Sequence, residues 1–252
     1  MEIEAHLAAL RADGARLAEA AQAAGMEAGV PTCPGWTVRE LLHHIGGVHR
    51  WAALHVTTGL DRPTTAEEDA RIFVRVADPE LLPWFLEGHA ALLRALEGAD
   101  PGLRCWTFLP APSPLAFWAR RQAHETHIHR VDAETAAGWP AACGRELGAD
   151  GIDELLNGFL ARRHGRLVAD PPRCLGVAPI DDPEGSWTIR IEPDRRVVTP
   201  GIDAPDCTVR GSSADLYHHL WNRLPPGTGS IEVEGDGRVM ELWRERATIR
   251  WS

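Results

Sequence analysis

Apolar residues recur at helical spacing along the first half of the chain. Over residues 3–24, Leu7, Leu10, Leu17 and Ala21 fall on one face, which predicts an amphipathic helix. Gly25 and Gly29 break the pattern, and Pro31 and Pro34 follow. Thr37 is a suitable N-cap for a second helix, and Glu40 three residues later completes a capping box. That helix is expected to reach about Thr58, with Leu41, His44, Ile45, Val48 and Trp51 on one stripe. A polar loop is expected around Asp61–Glu68, then a third helix over 79–98. Residues 99–114 are rich in Pro and Gly and carry Trp106; a fourth helix follows over about Pro114–Ala137, ahead of Gly138 and Pro140. Four helices of this length with one long crossover predict an antiparallel four-helix bundle.

The pattern changes near residue 145. One more helix is expected over Gly151–His164. Shorter β-rich stretches come next, at Arg173–Ile180, Ser186–Ile191, Arg196–Thr199 and Cys207–Arg210. A short helix over Ser213–Arg223 and a strand over Gly229–Glu234 complete the pattern, while Val239–Arg246 fits either class. The turns DDPEG, EPDRR, PPGTG and EGDG separate these elements. The chain therefore divides into a helical domain over 1–142 and a smaller α/β domain over 143–252, with no internal repeat.

With 252 residues, 44% of them hydrophobic, the chain can bury a substantial core, and a charged share of 25% excludes wholesale disorder. The net charge of -10, without a basic run, makes nucleic acid a poor partner and favours small molecules. All the cations are Arg, a bias of high-GC genomes. No apolar run is long enough to span a membrane, and the acidic start MEIEAHLAALRADG is not a signal peptide. A cytoplasmic monomer or small homo-oligomer is expected. The five cysteines (Cys33, Cys105, Cys143, Cys174, Cys207) form no CxxC and read as small semi-buried thiols.

The chemistry concentrates in RRQAHETHIHRVDAE, residues 120–134. On a helix, Glu125 and His129 lie roughly 40° apart and one turn along, so they share a face. His127 falls nearly opposite Glu125, and His124 points away from His129. The stretch is not an HExxH protease motif, because no His follows His124 at the fourth position. A third ligand must come from elsewhere, and WTVRELLHHIGGVHRW, residues 36–51, offers His43, His44 and His49. A His-Glu-His set would suit a divalent ion such as Zn²⁺ with a position left open for chemistry. His218 and His219 read as packing residues, Arg130 as a surface ion-pair partner of Asp132 or Glu134, and the ten Trp as core anchors or cleft walls.

CPGWTVRELLHHIGGVHRW, Cys33–Trp51, resembles the signature of the mycothiol-dependent maleylpyruvate isomerase family, whose N-terminal domain is a DinB-like metal-binding bundle. FWARRQAHETHIHRVDAE, Phe117–Glu134, resembles the family's second signature, and LYHHLWNRLP at 216–225 is similar to its smaller α/β domain. The resemblance implies a metal set of His44, eight residues after Trp36, with Glu125 and His129. It implies Arg223, in the second domain, as a catalytic residue facing the cleft; Asn222 stands before it where the family more often has Gly. It also implies Zn²⁺ or another divalent metal, with mycothiol as thiol cosubstrate. The expected function is activation of that thiol for attack on a small electrophile, as S-transferase or cis-trans isomerase. The alternatives are a thiol-independent metal hydrolase and a non-catalytic ligand-binding protein.

Overall fold

The computed structural model describes residues 1–162, 165–182, 185–224 and 229–249. The chain forms two compact units, Met1–Ala141 and Ala142–Ser252. The predicted turns at 181–185 and 225–229, the helix end at His164 and the terminal Arg250–Ser252 lie partly or wholly outside the described residues.

In the first unit, α1 (Ile3–Ala24), α2 (Val38–Thr58), α4 (Asp78–Glu97) and α5 (Pro114–Ala136) are the four long helices. α1 packs on α5 and α4, and α2 packs on α4 and α5, which closes the bundle. The core beneath the α1–α2 loop is built from Leu17, Ala21, Val30, Leu41, Ile45 and Phe85, all buried. At the start of α2 the Glu40 carboxylate accepts the Thr37 N–H at 2.9 Å, as the capping-box spacing predicts. The long α4–α5 connection is pinned where Trp106 N–H donates to the Leu60 carbonyl at 2.8 Å.

The expected loop at 61–68 gives way to a short helix, α3 (Ala66–Ile72). None of its residues is buried, so it leaves no apolar period to read. Local capping holds it instead: Thr65 and Glu68 exchange bonds, with Glu68 accepting the Thr65 N–H at 2.7 Å.

α5 departs furthest from an ordinary amphipathic helix. Every residue of Arg121–Glu134 is buried, although most are polar. Several of its polar groups are matched by α1. Asp13 pairs with His127 at 2.8 Å and with Arg130 at 3.0 Å. Glu134 accepts from Arg130 at 2.9 Å and from Arg16 at 2.8 Å. Arg130 is therefore a buried clamp between α5 and α1, not the surface ion-pair partner expected; its carboxylate partners lie on both helices.

The second unit starts with α6 (Arg145–Asp153), which continues as a π-helix over Glu154–Leu160. The helix begins six residues before the expected Gly151. Gly148 and Gly151 look like breakers in the sequence, yet they are contact points. A Cβ on Gly148 would lie 2.7 Å from the Ser213 backbone, and one on Gly151 would lie 2.4 Å from the Tyr217 ring. Both neighbours belong to α7 (Ser213–Leu220), which packs closely on α6.

The strands β1 (Arg173–Pro179), β2 (Trp187–Ile191), β3 (Arg196–Pro200), β4 (Cys207–Gly211) and β5 (Glu232–Gly235) form one mixed sheet in the order β3-β2-β1-β4-β5. Only the β1–β4 pair is parallel. α7 lies against β1 and β4, and the undecided segment is a helix, α8 (Arg238–Arg246), with Val239, Met240 and Trp243 buried. This is the expected fold class: a helical bundle followed by a smaller α/β unit.

Candidate metal centre

α5 presents Glu125 and His129 one turn apart, and α2 presents His44 opposite them. His44 Nε2 lies 3.2 Å from Glu125 Oε1, and His129 Nε2 lies 3.4 Å from the same oxygen. The two imidazole centroids are 4.9 Å apart at 74°. One ligand atom from each residue lies within 4.8 Å of the others. A tetrahedral ion with bonds of about 2.0–2.2 Å holds its ligand atoms about 3.3–3.6 Å apart, so this spacing fits a zinc-type ion. The other two candidate histidines of α2 point elsewhere. His43 bonds the Arg39 carbonyl at 3.0 Å and the Val76 backbone at 3.2 Å. His49 bonds the Thr126 hydroxyl at 2.9 Å.

Two side chains of the triad, Glu125 and His129, are oriented from behind. Arg121 Nη2 donates to Glu125 Oε2 at 3.0 Å, which leaves Oε1 for the centre. His129 Nδ1 donates to Asp132 Oδ2 at 2.8 Å, which leaves Nε2 for the centre. Asp132, fully buried, also accepts from the Thr32 hydroxyl at 2.5 Å and the Cys33 thiol at 3.3 Å. The α1–α2 loop is thereby tied to the site, and its Trp36 ring covers both imidazoles, at 5.1 Å from His44 and 6.1 Å from His129.

The electrostatics agree with that geometry. Burial pushes the Glu125 pKa up, but bonds from His129 and His44 and the Arg121 charge outweigh it and hold the carboxyl well below its usual range. Burial keeps His44 below the ordinary imidazole value, only partly offset by Glu125. Burial would do the same to His129, but Asp132 and Glu125 overcome it and raise this pKa to about 8. The side chains are 18% exposed at His44, 5% at Glu125 and 8% at His129, so access is from the His44 side.

Sequence reasoning missed Arg121, Asp132 and Thr32. The i−4 spacing of Arg121 from Glu125 and the i+3 spacing of Asp132 from His129 were the available signals. Arg223 belongs to the second unit, just beyond α7, and donates to the Trp221 carbonyl at 2.9 Å. Asn222 before it takes a left-handed φ of 59°, a conformation that Gly adopts freely. His218 and His219 are buried, in keeping with packing roles. All five cysteines are thiols rather than half-cystines. Among the described residues, no helix is long and apolar enough to cross a membrane.

Two family models match the chain: the mycothiol maleylpyruvate isomerase N-terminal domain over residues 7–134, and the MDMPI C-terminal domain over residues 146–242. No curated protein sequence matches. Among solved structures, the chain is similar to the mycothiol-dependent maleylpyruvate isomerase, with a TM-score of 0.61, 15% identity and 93% of each chain covered. A histidine-to-alanine mutant of that enzyme aligns with a TM-score of 0.62, 14% identity and the same 93% coverage of each chain. The fold is thus shared at low identity, and the two domain matches, in order along one chain, establish that this protein belongs to the mycothiol maleylpyruvate isomerase family.

Proposed function

We propose that this protein is a metal-dependent enzyme that activates mycothiol for attack on a small electrophilic carbon compound, acting as a cis-trans isomerase or an S-transferase. The observation that carries the reading is the convergence of His44, Glu125 and His129 from two helices, with both imidazoles 3.2–3.4 Å from one Glu125 oxygen and with Glu125 and His129 held from behind. Two imidazole nitrogens and one carboxylate oxygen make the donor set of a catalytic zinc site rather than of a closed structural one. Zinc bound there supplies Lewis acidity and an affinity for sulfur that keeps a thiol ionised near neutral pH.

The chain's own residues do the rest. Arg121 and Asp132 fix the rotamers of Glu125 and His129, so neither has to reorganise when the thiol arrives. Trp36 excludes water from one side of the imidazole pair. Arg223 would hold a substrate carboxylate through its guanidinium fork. In an isomerase the thiolate adds to a conjugated double bond, the new single bond rotates, and the same thiolate leaves, so no other reactant is consumed. In a transferase the adduct is protonated and released.

The test is turnover of a panel of conjugated carbonyl acids and epoxides by the native chain, with and without mycothiol, beside His44→Ala and Glu125→Ala. Turnover that needs both the thiol and the intact triad is expected. Turnover that is equal without thiol would replace this reading with a metal hydrolase, and none with any electrophile would favour a binding protein.

A further inference from the structure

A second constellation of polar groups lies wholly within the C-terminal unit. A cavity of about 220 Å³ has Arg162, Arg166, Arg196, Arg246 and Thr248 on its walls, and among the described residues no carboxylate lines it. Arg196, at the start of β3, is 7% exposed. It donates to the carbonyls of Leu160 at 3.1 Å, Gly165 at 3.4 Å and Arg162. These bonds use three of the five guanidinium N–H groups and leave one on each terminal nitrogen. The acceptors are neutral, so the buried charge has no counter-ion among them. Burial accordingly depresses the Arg196 pKa with no carboxylate to offset it.

Two further observations point the same way. The Thr248 hydroxyl is buried and has no hydrogen-bond partner among the described residues. A buried hydroxyl without a partner is unfavourable unless something binds it. Arg166 and Arg246, both exposed, also have no acidic partner among the described residues. A purely structural role for Arg196, tying down the carbonyls at the end of the π-helix, accounts for its three bonds. It does not explain like charges gathered around one cavity, nor the orphaned hydroxyl.

We propose that this cavity is a binding site for a small multivalent oxyanion, a phosphate- or carboxylate-bearing metabolite, held by Arg196 and Thr248 with Arg166 and Arg246 supplying charge at its rim. Arg196 meets the anion with its two remaining N–H groups, and the Thr248 hydroxyl donates a third bond. The volume limits the ligand to a few heavy atoms beyond the anionic group, because drug-sized sites run from about 300 Å³ upward. The site uses no residue of the His44–Glu125–His129 triad and stands whether or not that triad binds metal.

Isothermal titration of the full chain with inorganic phosphate and with succinate, at constant ionic strength set by chloride, tests the proposal. Saturable one-to-one binding of at least one of them is expected, and the stronger arm identifies the anionic group. Arg196→Ala removes carbonyl bonds and can unfold the unit, so the exposed Arg246→Glu and the near-isosteric Thr248→Val carry the test. Each should weaken binding, Arg246→Glu by about tenfold or more, while the melting temperature without ligand stays close to that of the native chain. The proposal is overturned if neither anion binds more strongly than chloride, or if both variants bind as the native chain does.

Discussion

Asp132 stands one helical turn beyond His129 and accepts its Nδ1 proton at 2.8 Å from a fully buried position. The bond fixes which nitrogen faces the centre and raises the basicity of that imidazole. Asp132→Asn keeps the shape but removes the charge, so zinc affinity should fall about 10- to 100-fold. Competition against a chromogenic chelator measures this. An unchanged affinity would reduce Asp132 to a tie for the Thr32–Cys33 loop.

Metal loading should depend on pH in a defined sense. Without metal, His129 carries a proton up to a pKa of about 8, and an ion must displace it. Apparent affinity should therefore weaken by about tenfold per pH unit as pH falls below about 8. Glu125, held far below its usual range, adds nothing near neutrality, and neither does His44, which is already neutral there. The same proton stabilises the metal-free fold. With His129 raised in the folded state, that stability is fully present below about 6.5, the unfolded value, and is lost as pH rises through about 8. Metal titrations and melting curves of chelated protein between pH 6 and 9 check both signs; a flat affinity profile contradicts the account.

Arg130 offers a test by magnitude. As an exposed ion-pair partner it would contribute about 0–1 kcal/mol. Buried between Asp13 and Glu134, its replacement by Ala should cost about 3–5 kcal/mol, because the buried Glu134 and the part-buried Asp13 each lose a guanidinium partner. Urea denaturation of Arg130→Ala distinguishes the two values.

Gly148→Ala reverses the sign that helix propensity alone would give. In an exposed helix the change stabilises by about 1 kcal/mol. Here the new Cβ would meet Ser213 and Ala214 backbone atoms at 2.7–2.8 Å, which no side-chain rotation relieves. Destabilisation by about 1–3 kcal/mol is expected in thermal melts. A gain in stability would show that α6 and α7 do not pack this closely.

These cases show what the sequence makes legible. α1, α2 and α4 announce themselves because each buries an apolar stripe, α5 is marked by its Ser113–Pro114 start and by Gly138 beyond its end, and the Glu125–His129 pair follows from helical spacing alone. His44 does not, because His43 and His49 stand on the same helix and only packing shows that they turn to Val76 and Thr126. Arg130 reads as a surface residue, since a polar residue in a helix is normally solvated; Asp13 on α1 changes that, and bonds from the α1–α2 loop give Asp132 its buried place in the same way. α3 leaves no apolar period, and Gly148 and Gly151 look like breaks although they are the points of closest approach.

The central claim, that His44, Glu125 and His129 hold one ion open to sulfur, is tested most directly by zinc K-edge absorption of the metal-loaded protein before and after mycothiol is added. The account predicts nitrogen and oxygen neighbours at about 2.0–2.2 Å, joined by a single sulfur at about 2.3 Å once the thiol is present. A protein that retains no stoichiometric zinc, or a spectrum that mycothiol leaves unchanged, would contradict it.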